Sequence, residues 1–412
     1  MENKKNIWLI SQYTGSPHHG MNYRGYYLAK EWVKKGHSVS IFTGSYSHLF
    51  VNFPKVSKAF RHESIEDIDY IWVKTPQYKS SQSIGRVWAM LVFMFRLFFF
   101  NIFKVKKPDV IIVSSLSLFP ILNAYIWSKL LKVEFILEVR DIWPLTLIEV
   151  GGFSKYHPLV LLLGLFEKFG YKKAKYVVSV LPHAHLHMTK RGMESDKFVY
   201  IPNGISLDEV AQSEDISQEV KSLFPKDKCI IGYLGTIGLA NAMDTFLSSA
   251  KALKEQKHIH FVLVGKGDEK SKLQAYAKTH KLENITFIDA VPKIQVQSVL
   301  RHFDIAYITS KRSPLYQYGV SANKMFDYMY ASKPIIYAIE SGKNLIDLAS
   351  CGVSIAPENR EALDKVILNL SSDLVKLDKM GENAKAYVQA EHTYEALAEK
   401  YLRLMENMCN EK

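Results

Sequence analysis

Short apolar runs alternate with amphipathic stretches along the whole chain, and the alternation starts afresh just past residue 205. Runs over 7–10, 38–43, 110–113, 135–139, 177–181 and 197–201 read as strands in the first half, and runs over 229–234, 260–264, 285–288, 305–308 and 334–338 in the second. Helical periodicity fills the gaps. One helix spans about 22–35 and stops at Gly36, and a last one over about 384–408 sets Leu397, Tyr401, Leu404, Met405 and Met408 on one stripe. Strands separated by helical crossovers demand parallel sheets. A chain of 412 residues exceeds what one core accommodates, so two Rossmann-like sheets in tandem follow, with a linker near 203–207, where Pro202-Asn203-Gly204 ends the first half. Sheets of this class bind ligands at the carboxyl ends of their strands.

Charge separates the halves. Residues 1–205 carry 27 Lys+Arg against 14 Asp+Glu, and residues 206–412 carry 26 against 27, so the excess of +12 belongs to the first half. The window 70–108 holds seven basic residues and no acid, around the apolar segment VWAMLVFMFRLFFFNIF. Arg96 inside that segment would cost roughly 2.5–3.5 kcal/mol at a bilayer centre, so a helix lying in the interface is the better solution. With the second apolar and basic stretch, 159–175, residues 84–107 point to an anionic membrane surface rather than nucleic acid, for which no motif is present. Three cysteines without metal spacing indicate a reducing compartment, and MENKKNIWLIS lacks the apolar run of a signal peptide. The expected location is cytoplasmic, peripheral at the inner face of the membrane.

Chemistry is expected where glycine turns follow strands: at Gly20, at Gly235-Thr236-Ile237-Gly238, and at Gly265-Lys266-Gly267. Such turns either cradle a phosphate or simply join strand to helix. None completes G-x-G-x-x-G, which excludes a dinucleotide cofactor. The segment YGVSANKMFDYMYASKP sets Lys324 at the start of a helix and Asp327 one turn in. Diphosphate at the helix start and ribose on the acid suit that arrangement; a plain capped surface helix is the alternative. In EVRDIWP, a strand end delivers Glu138, Arg140 and Asp141; Arg140 could grip a diphosphate and Asp141 act as base, or the group could be a strand-end salt bridge. His183, His185 and His187 alternate but lack acid or cysteine partners for a metal.

These motifs resemble the retaining GT-B glycosyltransferases of family 4, in particular their WbuB-like branch of L-fucosamine transferases. The resemblance rests on HGMNYR, EVRDIWP, IPNG, GYLGTIG, LVGKGDE and NKMFDY ahead of Lys333-Pro334, and covers nearly the whole chain. It implies two Rossmann-like α/β domains with parallel sheets facing across a cleft. Residues 1–203 with a returning helix 393–412 would meet acceptor and membrane; residues 204–392 would hold the donor. It implies a UDP donor carrying an N-acetylated sugar such as N-acetyl-L-fucosamine, and a polyprenyl-diphosphate-linked saccharide acceptor in O-antigen or capsule assembly. Gly20 would leave room for the donor phosphate; Gly235, Thr236, Gly238, Lys266 and Lys324 would bind the diphosphate and Asp327 the ribose. Arg140, Asp141 and Lys324 would carry catalysis without a metal or other cofactor. Two departures stand out: Gly319 replaces the first glutamate of the family's Glu-x7-Glu motif, and Ser114-Ser115 replace a common histidine. A non-catalytic nucleotide-sugar-binding partner, or an epimerase on the same fold, are the competing expectations.

Overall fold

A computed structural model describes residues 4–20, 23–80 and 83–410. Met21 and Asn22 of the first glycine loop lie outside the described residues. The chain divides into two compact units, Met1–Pro202 with Tyr394–Lys412, and Asn203–Thr393.

In the first unit the strands are β1 (Asn6–Ile10), β2 (Ser38–Gly44), β3 (Phe60–Ile65), β4 (Ile68–Val73), β5 (Val110–Ser114), β6 (Glu134–Val139), β7 (Tyr176–Ser179) and β8 (Phe198–Tyr200). They form one sheet in the order β3-β4-β2-β1-β5-β6-β7-β8, parallel except for the β3–β4 hairpin. The helices that bear on function are α1 (Arg24–Lys34), α2 (Ile84–Phe98), α3 (Pro120–Leu131), α4 (Leu145–Glu149) and α5 (Pro158–Lys173). Strands β1 and β5 are buried throughout, the continuous apolar signature of a sheet covered on both faces. One face packs against α1 and the terminal helix Tyr394–Asn410, through Trp32, Tyr401, Leu397 and Met405. The Trp32 indole donates to the Ala398 carbonyl at 3.1 Å. On α2, α3 and α5, Asn123 donates to the Met94 carbonyl at 3.1 Å, and Phe119 meets Phe166 edge-on at 5.1 Å.

The second unit holds β9 (Cys229–Leu234), β10 (Ile259–Val264), β11 (Ile285–Ile288), β12 (Ile305–Thr309), β13 (Ile335–Ala338) and β14 (Gly352–Ser354). Their order is β11-β10-β9-β12-β13-β14, all parallel. The order reverses direction beside β9, which is where ligands bind open sheets of this kind. Both units are therefore parallel-sheet α/β layers.

Two expectations need correction. The single last helix is two, Leu374–Glu391 and Tyr394–Asn410, separated where Ile205 donates to the His392 carbonyl at 2.9 Å and bridges to Thr393. The histidine run, expected to lack acid partners, has one: His185–Lys190 is helical, and His187 meets the buried Glu167 at 2.7 Å. Among the described residues no group of three or more His, Cys, Asp or Glu is placed to hold a metal ion.

Candidate active site

The loops after β9 and β10 interlock. Gly235 N–H donates to the Val264 carbonyl at 3.0 Å and Ile237 N–H to the Lys266 carbonyl at 2.9 Å. A Cβ on Gly265 would lie 1.9 Å from the Gly235 oxygen, with φ at +153°, so glycine is required there by contact as well as conformation. Leu234, Gly235, Thr236, Lys266, Ala290 and Val291 line a pocket of about 180 Å³ at this edge.

The helix Asn323–Tyr330 is fastened to the same edge. Tyr328 Oη accepts from Leu234 N–H at 2.8 Å and donates to the Leu234 carbonyl at 3.0 Å, which fixes the helix start beside Gly235. No side chain caps that start. Lys324 Nζ donates to Tyr233 Oη at 2.7 Å and lies 4.2 Å from the centre of the Tyr233 ring. Tyr233 in turn donates to the Thr236 carbonyl at 2.6 Å. A Cβ on Gly235 would sit 3.0 Å from the ammonium, so any larger residue there would crowd Lys324. Lys324 makes no ion pair among the described residues, and desolvation lowers its pKa to about 7. A half-buried lysine with aromatic and hydroxyl partners thus has no carboxylate beside it among the described residues.

Asp327, further along the helix, is buried and held by Lys293 Nζ at 2.6 Å and 2.8 Å through its two oxygens. Gln297 reaches the Asp327 carbonyl at 3.3 Å. Gly319 closes a short 3-10 turn, Pro314–Tyr318, at φ +96°. The local backbone itself calls for glycine at the position where the motif elsewhere has glutamate.

At the edge of the first unit, Glu138 is not a cleft group. Arg24 Nε donates to its Oε2 at 2.8 Å, Ser114 to Oε1 at 2.6 Å and Tyr401 to Oε2 at 2.5 Å. Burial acts to raise the Glu138 pKa, but Arg24 and these donors prevail and hold it at about 2. Arg24 also donates to the carbonyls of Ile201 and Pro202. Arg140 is half-buried, with its N–H on Ser115 Oγ at 3.1 Å, while Asp141 reaches solvent within the electrostatic range of Arg140 and Arg86. The two serines thus brace β6. Gly20, at φ +114°, packs against the 49–51 backbone, where a Cβ would meet Leu49 O at 2.8 Å. Chain packing by itself requires glycine there.

Of the residues expected from the sequence, Gly235, Thr236 and Lys266 share one pocket and Lys324 packs against Gly235; Gly238 lies further along the same loop, and Asp327 lies one turn along the helix, paired with Lys293. Sequence reasoning missed Tyr233, which lies inside an apolar strand run, and Lys293, which opens a short 3-10 turn, Lys293–Gln295.

A Glycosyl transferase 4-like domain model matches residues 19–204, and a Glycosyl transferases group 1 model matches 215–387. The chain is therefore a glycosyltransferase of the GT-B, family 4 type. It is 21% identical to the Pseudomonas aeruginosa protein named "Probable glycosyltransferase WbjE", over 98% of both chains. It is 23% identical to WcaI of Escherichia coli K12, whose name describes a colanic acid biosynthesis glycosyl transferase, over 81% of this chain and 84% of that one. In fold it resembles Anabaena Alr3699/HepE, solved in complex with UDP, with a TM-score of 0.68 and 12% identity, covering 98% of this chain and 100% of that one.

Proposed function

We propose that the chain is a hexosyltransferase that moves an N-acetylated sugar, such as N-acetyl-L-fucosamine, from a UDP donor with retention of configuration. The acceptor is a polyprenyl-diphosphate-linked saccharide in O-antigen or capsule assembly, as in the WbuB-like branch. The observation that carries this reading is Lys324: a desolvated cation at an uncapped helix start, against Gly235, without a carboxylate partner among the described residues. Such a group gains most when negative charge develops on a leaving diphosphate. The helix N-terminus and the 235–238 loop add N–H donors, and Asp327 takes the ribose. Arg140 and Asp141 carry catalysis with Lys324, Arg140 toward the diphosphate and Asp141 as base, and no step requires a metal. The UDP complex of HepE and the polysaccharide named for WcaI support donor and pathway class.

The inner membrane face is the proposed working surface of the first unit. Among the described residues no helix is long and apolar enough to cross a membrane. The adjoining helices α2, α3 and α5 nevertheless expose Trp88, Phe95, Phe99, Leu130, Leu161 and Leu165, with Lys104, Lys129, Lys168 and Lys172 around them. Apolar side chains bordered by lysines fit an anionic interface.

Nucleotide release from a panel of UDP- and GDP-sugars, with lipid-linked acceptor extract in detergent, tests the reading. One UDP-sugar is expected to release UDP only when acceptor is present. Release that ignores the acceptor, or a donor converted in place, contradicts it. Binding of UDP without any turnover across the panel identifies the non-catalytic partner instead, as the glycine at 319 would lead one to suspect.

A further inference from the structure

The start of α2 places a guanidinium where the exposed apolar face meets the carboxyl edge of the first sheet. Ile84 and Trp88, one turn apart, point to solvent and are 88% and 57% exposed. Arg86, between them in sequence, turns to the other side at 100° per residue. Its Cζ lies 5.4 Å from the Tyr13 ring centre and 5.6 Å from that of Trp143, and its Nε donates to Tyr13 Oη at 3.4 Å. Tyr13 extends from the end of β1 and Trp143 from the loop after β6, so the arginine is held across the strand ends. Tyr78 and His48 complete the group, with His48 Nδ1 at 3.0 Å from Tyr78 Oη. Asp141, the exposed acid of the same edge, lies in the field of Arg86.

We propose that Arg86, framed by Tyr13 and Trp143, binds the diphosphate of a polyprenyl-diphosphate acceptor, whose isoprenoid chain lies along the exposed Ile84–Trp88 side of α2. This rests on the lipid-linked acceptor of the preceding reading and assigns its binding site. The physical argument has three parts. A guanidinium fork matches phosphate oxygens in two-point contact, and the aromatic faces fix the fork in place before ligand arrives. The ligand is amphipathic with its charge at one end, and the protein presents the same division within two residues of one helix. The first turn of α2 contains no acid to repel the diphosphate.

Calorimetric titration of the full chain with farnesyl diphosphate, inorganic pyrophosphate and farnesol tests the assignment. Wild type is expected to bind farnesyl diphosphate at least tenfold tighter than either of the other two. Arg86→Ala is expected to lose at least tenfold for farnesyl diphosphate while UDP affinity and melting temperature stay as in wild type. Arg86→Lys, which keeps the charge and the fold but not the fork, should fall between. Equal farnesyl diphosphate affinity in wild type and Arg86→Lys and Arg86→Ala overturns the site, as does pyrophosphate binding as tight as farnesyl diphosphate. Acceptor-dependent UDP release by wild type separates the two claims. If release occurs and Arg86 is irrelevant to binding, the transferase stands and this site falls; if Arg86-dependent binding occurs without release, the reverse holds.

Discussion

Each unit sets a basic side chain beside the carboxyl ends of its strands, fully buried for Arg24 and half-buried for Lys324, and the two are treated in opposite ways. Arg24 is surrounded by acceptors: Glu138 and the carbonyls of Ile201 and Pro202. Lys324 has a tyrosine hydroxyl and a tyrosine ring, and no carboxylate among the described residues. A buried charge with its counterion in place holds the fold and has nothing left to offer a ligand. A desolvated amine lacking a counterion gives up its proton readily, and an arriving anion restores the charge. The same residue class, at the same kind of sheet edge, holds the fold in one unit and, in the proposed reading, awaits a ligand in the other.

The largest effect is expected where the pair is complete. Glu138→Gln leaves Arg24 buried against a neutral amide and should lower unfolding free energy by about 3–5 kcal/mol. Denaturant unfolding measures this, and a loss near zero would erase the contrast between the two edges. Lys324→Met should do the opposite: UDP affinity drops about 10- to 100-fold, as for loss of a charge-assisted hydrogen bond, while the melting temperature holds or rises. A melting temperature that falls by ten degrees would make Lys324 another structural cation. Asp327→Asn should raise the donor KM by roughly tenfold with kcat little changed, since a ribose contact of about 1–1.5 kcal/mol is made equally in ground and transition states. Lys293→Met should have the smallest consequence, below about threefold in donor KM, because its ion pair with Asp327 is open to solvent on the lysine side.

The sheets were legible because buried parallel strands are uninterrupted apolar runs, and β1, β5, β9 and β10 are such runs. Strand β3 was not: FRHESI alternates half-buried and exposed positions at the sheet margin. Its hairpin turns through Glu66 and Asp67 at φ +48° and +61°, without the glycine or asparagine that usually announces such a turn. The terminal helix pair read as one because apolar periodicity passes over the break, which is set by a backbone bridge to residue 205, far away in sequence. The same limit applies to the sites. Lys324 and Asp327 sit on one helix, so spacing revealed them together. Arg24 and Glu138 are 114 positions apart, and nothing local in either segment shows that they meet. Glu138 accordingly looked like a cleft residue, and only its burial shows otherwise.

The pH dependence of UDP binding tests the central claim most directly. Between pH 7.5 and 8.5 the nucleotide's phosphates stay ionised and its uracil N3–H stays protonated, so the nucleotide's own charge is constant. With the free-protein pKa of Lys324 lowered to about 7, the free lysine is mostly neutral over this range and must take up a proton to bind the anion. Affinity should therefore fall with rising pH by up to about tenfold per unit until the raised pKa of the complex is passed. Lys324→Met should bind weakly and without that slope. A wild-type profile that is flat, or a variant that retains both affinity and slope, would show that the diphosphate is held elsewhere.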